Sequence, residues 1–170
     1  FIYIKDMTIY LKKKQSLQLD VFNFKYSIGK NGLSKSKIEG DLKTPIGVFS
    51  LENLYYRSDR VDKPITNLKC VKIDKNMGWC DDPLNKEKYN KLIKVNNNIK
   101  HEKLYRRDHK YDLLIPIKFN FVKRIPGKGS CIFIHLTKNY APTAGCIVLK
   151  KKDFLVMLKL IKKNTRIKID

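Results

Sequence analysis

The sequence predicts a mainly β domain with one C-terminal helix and an elaborated loop region in its middle. Most apolar residues fall in short runs rich in β-branched and aromatic side chains, only one stretch has helical spacing, and the centre of the chain is polar and broken by turn residues. At 170 residues, 42% of them hydrophobic, with Gly 8, Pro 6 and no low-complexity tract, the chain is expected to fold as one domain over residues 1–170.

Strands are expected at residues 1–5, 8–11, 17–28, 48–56, 68–73, 113–119 and 131–136. Within 17–28, Phe22, Phe24 and Tyr26 share one parity and Val21, Asn23 and Lys25 the other, which is the pattern of a strand with one buried face. Gly29, Asn31 and Gly32 mark the turn that follows. Residues 59–112, with Asp82-Pro83 and three asparagines at 96–98, read as elaborated loops of the kind that build sites. In 151–163, Phe154, Leu155, Leu158 and Ile161 lie on one helical face, Asp153 suits the N-terminal end and lysines close the other. Residues 165–170 are expected to add an edge strand.

The balance of 37 Lys plus Arg against 16 Asp plus Glu, formally +21, gives a field that attracts polyanions. With 31 Lys and only 6 Arg the excess is a set of point charges, not the forked, stacking contacts that nucleic-acid readers use. It fits an anionic partner such as a cell-wall polymer as well as it fits solvated lysines from a biased composition. No specific nucleic-acid partner is expected. No apolar run approaches the roughly 20 residues of a membrane-spanning helix; the longest, such as 131–136, are far shorter.

Cys70, Cys80, Cys131 and Cys146 are too few for a disulfide scaffold and lack zinc-ligand spacing; a Cys70–Cys80 bridge is not expected. The first residue is Phe1, so a targeting segment upstream and export are compatible with the chain, and residues 1–20 read as domain rather than as a signal peptide.

Chemistry concentrates in 131–149. His135 ends one apolar run and Cys146 opens the next, so a tight reversal would bring a base to a nucleophile, which needs one because a free thiol is mostly protonated at neutral pH. Gly145 permits a sharp bend whose N–H groups can face an oxyanion. Cys131, with no glycine beside it, reads as core filler.

At these residues, His135 and Thr143-Ala144-Gly145-Cys146, the sequence resembles the L,D-transpeptidase catalytic domain family, often called YkuD-like. The likeness extends to Gly40-Asp41-Leu42-Lys43-Thr44-Pro45-Ile46-Gly47, to Trp79-Cys80-Asp81-Asp82-Pro83, and to His101-Glu102-Lys103-Leu104-Tyr105-Arg106 with Tyr111-Asp112, covering most of residues 26–158. Many members carry His immediately before the Gly-Cys pair; this chain has Ala144, as one subgroup does.

The resemblance implies a β-sandwich-like fold and a cysteine acyltransferase without metal or other cofactor, working in the periplasm or cell envelope on peptidoglycan stem peptides. Cys146 would attack the carbonyl of the third residue of a stem tetrapeptide, releasing D-alanine and leaving a thioester. His135 would act as base and then acid, with the Gly145 and Cys146 N–H groups as oxyanion donors. Thr143, Ala144, Trp79, His101, Glu102, Tyr105 and Arg106 are the expected substrate-binding residues. An acceptor amine would make a cross-link, and water would make the chain a carboxypeptidase; the resemblance favours transpeptidation. A non-catalytic, basic wall-binding or polyanion-binding domain is the remaining alternative.

Overall fold

The computed structural model describes residues 7–12 and 16–170. The strand expected at 1–5 lies outside the described residues.

β1 (Thr8–Lys12), β2 (Ser16–Leu19) and β3 (Phe22–Lys25) form an antiparallel meander. The single strand expected at 17–28 is therefore two. Asp20, at φ 54°, takes the left-handed turn that a short polar side chain tolerates, and Val21 at the tip is 79% exposed. Phe24 and Tyr26 are buried as the alternation implies, but Phe22 lies at the rim, 41% exposed, with its ring stacked on Phe24.

The short β4 (Leu33–Ser34) and β5 (Thr44–Pro45) pair in parallel. The run expected at 48–56 also splits, into β6 (Gly47–Ser50) and β7 (Leu54–Tyr56), which belong to different sheets. The crossing between them is fastened by the Glu52 N–H donating to the Pro116 carbonyl at 2.9 Å.

β8 (Cys70–Lys72) follows, and then β9 (Met77–Cys80), β10 (Leu92–Lys94) and β11 (His101–Lys103) form a three-stranded antiparallel sheet, ordered β10-β9-β11, inside the region expected to be loop. These strands are only three or four residues long, and β10 and β11 each end in a lysine.

β12 (Leu113–Pro116), β13 (Phe133–Leu136) and β14 (Ile147–Leu149) are buried at every residue. They complete a five-stranded sheet ordered β14-β13-β12-β7-β8. Helix α1 (Lys151–Leu160) buries Phe154, Met157 and Leu158 and stops short of the expected residue 163, because Ile161 turns to extended backbone. β15 (Arg166–Ile169) is not an edge strand: it lies between β1, parallel, and β6, antiparallel, in the sheet ordered β3-β2-β1-β15-β6.

The two five-stranded sheets enclose one core, with Ile9, Leu11, Leu17, Ile167 and Ile169 from the first meeting Leu113, Ile115, Ile134, Leu136, Ile147 and Leu149 from the second. Alternation sends the intervening residues of β12 and β13 the other way, where Leu114 and Phe133 pack with Trp79 of the small sheet. The domain is thus a β-sandwich with a third layer. No helix among the described residues is long and apolar enough to cross a membrane.

Candidate active site

His135 has the parity of Phe133, so its side chain leaves the main core for the third-layer side of the sheet. β13 and β14 are parallel neighbours, with Ile134 opposite Ile147 and His135 opposite Val148, which sets Cys146 beside Phe133 on that same side. The expected tight reversal is replaced by residues 137–146, which carry the chain back along β13 so that the next strand starts parallel. Cys146 Sγ accepts the Phe133 N–H at 3.4 Å and donates to the Cys131 carbonyl at 3.2 Å. Cys146 and His135 both line one cleft of about 520 Å³.

Hydroxyl groups shape the bend before the thiol. Thr143 Oγ1 donates to the Cys146 carbonyl at 2.6 Å and accepts the Gly145 N–H at 3.1 Å. Buried Thr44 donates to the Gly145 carbonyl at 2.7 Å and accepts the Gly29 N–H at 3.0 Å. Gly145 is required twice over: its φ is +142°, and a Cβ there would lie 2.8 Å from the Lys43 carbonyl oxygen. Asp41 orders the loop that presents Thr44, accepting from Lys37 Nζ at 2.6 Å and from the Ile38 and Lys43 N–H groups, each at 2.9 Å.

A family model for the L,D-transpeptidase catalytic domain, YkuD, matches residues 1–169. The chain belongs to that family. Its fold is shared with the helical cell shape determining protein Pgp2 from Campylobacter jejuni, at 18% identity and a TM-score of 0.51, over 96% of this chain and 48% of that one. Bd1075 from Bdellovibrio bacteriovorus is similar at 16% identity and a TM-score of 0.50, over 97% of this chain and 47% of that one. The chain therefore spans about half the length of these solved structures. No curated protein matches it.

In this L,D-transpeptidase-family domain, burial governs the charge state of both central groups. It lowers His135 to about 4, against which the Leu136 carbonyl acts upward while the Lys110 and Arg106 charges act downward. It pushes the Cys146 thiol up to about 12; the Phe133 N–H pulls it down, the Glu102 charge raises it and the Lys37 charge lowers it. The resting pair at neutral pH is thus a thiol and a neutral imidazole. His135 Nδ1 lies 3.1 Å from the Leu136 carbonyl, which can only accept, so Nδ1 carries the proton and Nε2 keeps its lone pair. Cys131 is also pushed up by burial, but it lies outside the cleft lining.

Of the other expected binding residues, Thr143, Ala144, Glu102 and Arg106 line the cleft, whereas Trp79, His101 and Tyr105 do not. Trp79 is 3% exposed, packs on Tyr55, Phe121 and Phe133, and donates its indole N–H to Asn90 at 3.0 Å, so it is core. His101 sits against Gly78 and bonds the Ile99 carbonyl through Nδ1 at 2.6 Å. Tyr105 lies beneath the Arg57 guanidinium, 3.5 Å from its ring centre, and donates to Asp59. The Gly145 N–H, expected as an oxyanion donor, already donates to Thr143 Oγ1 and would have to leave it first.

Sequence reasoning missed Tyr111 as a site residue. Its ring stands edge-on to His135 with centroids 5.0 Å apart, and it lines the same cleft with Lys110 and Lys138. Its signals are an aromatic residue two positions before the apolar β12 run and the Tyr111-Asp112 pair within the family likeness. All four cysteines are free, and no group of three or more His, Cys, Asp or Glu among the described residues is arranged to hold a metal ion.

Proposed function

We propose that the domain is a peptidoglycan L,D-transpeptidase that works through a thioester on Cys146. The observation that carries this is the placement of Cys146 and His135 on one side of adjacent parallel strands, opening on one cleft beside a glycine bend. In the first half-reaction Sγ attacks the carbonyl carbon of the third stem residue while His135 Nε2 takes the thiol proton. Because both groups rest uncharged, that proton moves during attack and not before it. The tetrahedral oxyanion is met by the Cys146 N–H, joined by the Gly145 N–H when Thr143 releases it; each donor is worth about 3 kcal/mol of barrier.

The C–N bond then breaks, His135 returns its proton to the departing D-alanine amine, and the thioester remains. An amine from a second stem attacks the thioester, His135 accepts the amine proton, and the thiol is restored as the new amide forms. Such a substrate places the reaction in the cell envelope.

Intact-mass analysis with a synthetic stem tetrapeptide tests the proposal. The expected result is an acyl adduct on the wild-type chain, D-alanine in solution, and no adduct on Cys146→Ala. Absence of any adduct, or one that survives in Cys146→Ala, rejects the enzyme reading and favours a basic wall-binding domain.

A further inference from the structure

The loop 118–130, which runs into Cys131 and β13, carries apolar side chains that the core does not take. Val122 is 96% exposed and Ile125 is 48% exposed. The Glu39 N–H donates to the Gly127 carbonyl at 2.9 Å, which brings Ile38, 58% exposed, to the same loop. Single exposed aliphatic side chains are ordinary on a protein surface, whereas three gathered on two joined loops mark a contact surface. Cations accompany them. Residues 118–130 hold Lys118, Lys123, Arg124 and Lys128 and no acidic residue. Lys123 and Lys128 are exposed, and neither is in an ion pair among the described residues. The Glu39 carboxylate is already held by the hydroxyls of buried Tyr89 and Ser130, at 2.5 and 2.7 Å.

The loop is braced from within. Asn120 Nδ2 donates to the Ile125 and Gly129 carbonyls at 2.9 and 3.0 Å, and its Oδ1 accepts the Ile125 N–H at 2.9 Å. Asn90 fixes the base, donating to the Phe119 and Asn120 carbonyls at 3.0 and 3.1 Å. Asn120 and Arg124 take left-handed backbone, φ 53° and 46°, so the chain bends on both sides of Val122. Backbone bonded in this way keeps Val122 pointed at solvent, and a surface ordered in advance loses little freedom on docking. A soluble polyanion satisfies the lysines and leaves the aliphatic side chains in water. A bilayer interface satisfies both, because isolated aliphatic groups enter among the acyl chains while anionic headgroups meet the ammonium groups beside them.

We propose that the loop 118–130, with Ile38, docks the domain on an anionic lipid bilayer. Val122, Ile125 and Ile38 enter the interface, and Lys123 and Lys128 meet the phosphate headgroups. The contact is peripheral and reversible, made by side chains at a loop rather than by a spanning segment. Because the loop continues into β13, a docked loop fixes the height of the Cys146 cleft above the bilayer. The inference needs neither Cys146 nor His135 and stands apart from the acyl-transfer reading.

Tryptophan fluorescence tests it, because the single native tryptophan, Trp79, is 3% exposed and fixed in the core. With vesicles of equal parts phosphatidylglycerol and phosphatidylcholine, Val122→Trp is expected to shift its emission to shorter wavelength and to be quenched by brominated acyl chains. Val21→Trp is the comparison. It lies on the turn into β3, at one edge of the first sheet, whereas β6 at the other edge packs Phe49 on Phe119 beside the loop. It is expected to show neither change. Val122 and Val21 are so exposed that both variants are expected to fold as the wild type does. In vesicle flotation, Val122→Ser with Ile125→Ser lowers partition about tenfold at unchanged net charge, and Lys123→Gln with Lys128→Gln lowers it about as much. Vesicles of phosphatidylcholine alone do not retain the wild-type chain. Emission of Val122→Trp that vesicles leave unmoved overturns the proposal, and so does an equal shift in Val21→Trp. Partition that falls in the lysine variant but not in the Val122→Ser, Ile125→Ser variant overturns it in favour of plain attraction between polyanions and the +21 charge. Cys146→Ala is expected to bind vesicles as the wild type does, so failure here and failure of the acyl transfer are read separately.

Discussion

The hydroxyl of Thr44 donates to the carbonyl of Gly145, 101 residues further along the chain, at 2.7 Å. The same oxygen accepts the Gly29 N–H at 3.0 Å, so one fully buried side chain joins three segments at the bend that carries Cys146. Its replacement tests whether the two distant motifs act as one structure. Thr44→Val keeps the shape and removes both bonds, leaving a buried N–H and a buried carbonyl unpaired at a cost of about 2–4 kcal/mol. The expected result is a lower denaturant midpoint with unchanged slope, and slower acylation of Cys146. Wild-type stability in Thr44→Val, read by urea unfolding, contradicts it.

Two glycines separate backbone strain from steric contact. Gly32 has φ +79° with nothing within 4 Å of a built Cβ, so Gly32→Ala is expected to cost about 1 kcal/mol, the left-handed penalty alone. Gly145→Ala adds a collision with the Lys43 carbonyl oxygen at 2.8 Å, backbone that the Asp41 bonds hold in place. It is expected to cost at least twice as much and to abolish acylation. Equal melting temperatures for the two variants reject this account.

What the sequence made legible follows from how directly a residue pattern reports burial. Short β-branched and aromatic runs identified the mainly β class, and the spacing of Phe154 and Leu158 identified α1, because those patterns state which side chains leave water. They do not state which layer covers a face. β15 reads as an edge strand until β1 and β6 are seen on either side of it. Trp79 reads as a groove residue in a polar stretch, and a third layer, built from strands too short to show a period, makes it core. The turn at Asp20 shows in the sequence only as a shift of parity, from buried Leu17 and Leu19 to buried Phe24 and Tyr26, which the apolar Val21 and Phe22 beside it obscure. Cys146 and His135 were legible as a pair by chemical type, but their resting charges depend on burial that no spacing reveals.

His135 makes folding sensitive to acid. Its folded value, lowered to about 4 by burial, lies below the ordinary 6.5, so the unfolded chain binds a proton that the folded chain refuses. This contribution is fully present above about pH 6.5 and is lost as pH falls toward 4, on the order of 3 kcal/mol in all. Urea midpoints measured from pH 7 to pH 4 are expected to fall for the wild-type chain and to fall less for His135→Gln. Parallel curves for the two proteins remove His135 as the cause.

Cys146 has the opposite sign. Burial raises its thiol to about 12, so the thiolate is scarce at neutral pH, and alkylation by iodoacetamide is expected to be slow at pH 7 and still climbing well above pH 9, without a plateau near an ordinary thiol value. The Glu102 charge contributes to that rise, so Glu102→Gln is expected to shift the rate profile toward lower pH, while Lys37→Met, which removes a charge acting downward, shifts it higher. Acylation by a stem peptide follows a different rule, because a carbonyl held beside Sγ allows His135 to take the proton as the S–C bond forms. The acylation rate is therefore expected to be high at pH 7, where alkylation is slow, and to fall steeply in His135→Gln while alkylation changes little. A plateau in wild-type alkylation near pH 7, measured by mass at Cys146, would instead reveal a preformed thiolate and a different catalytic order.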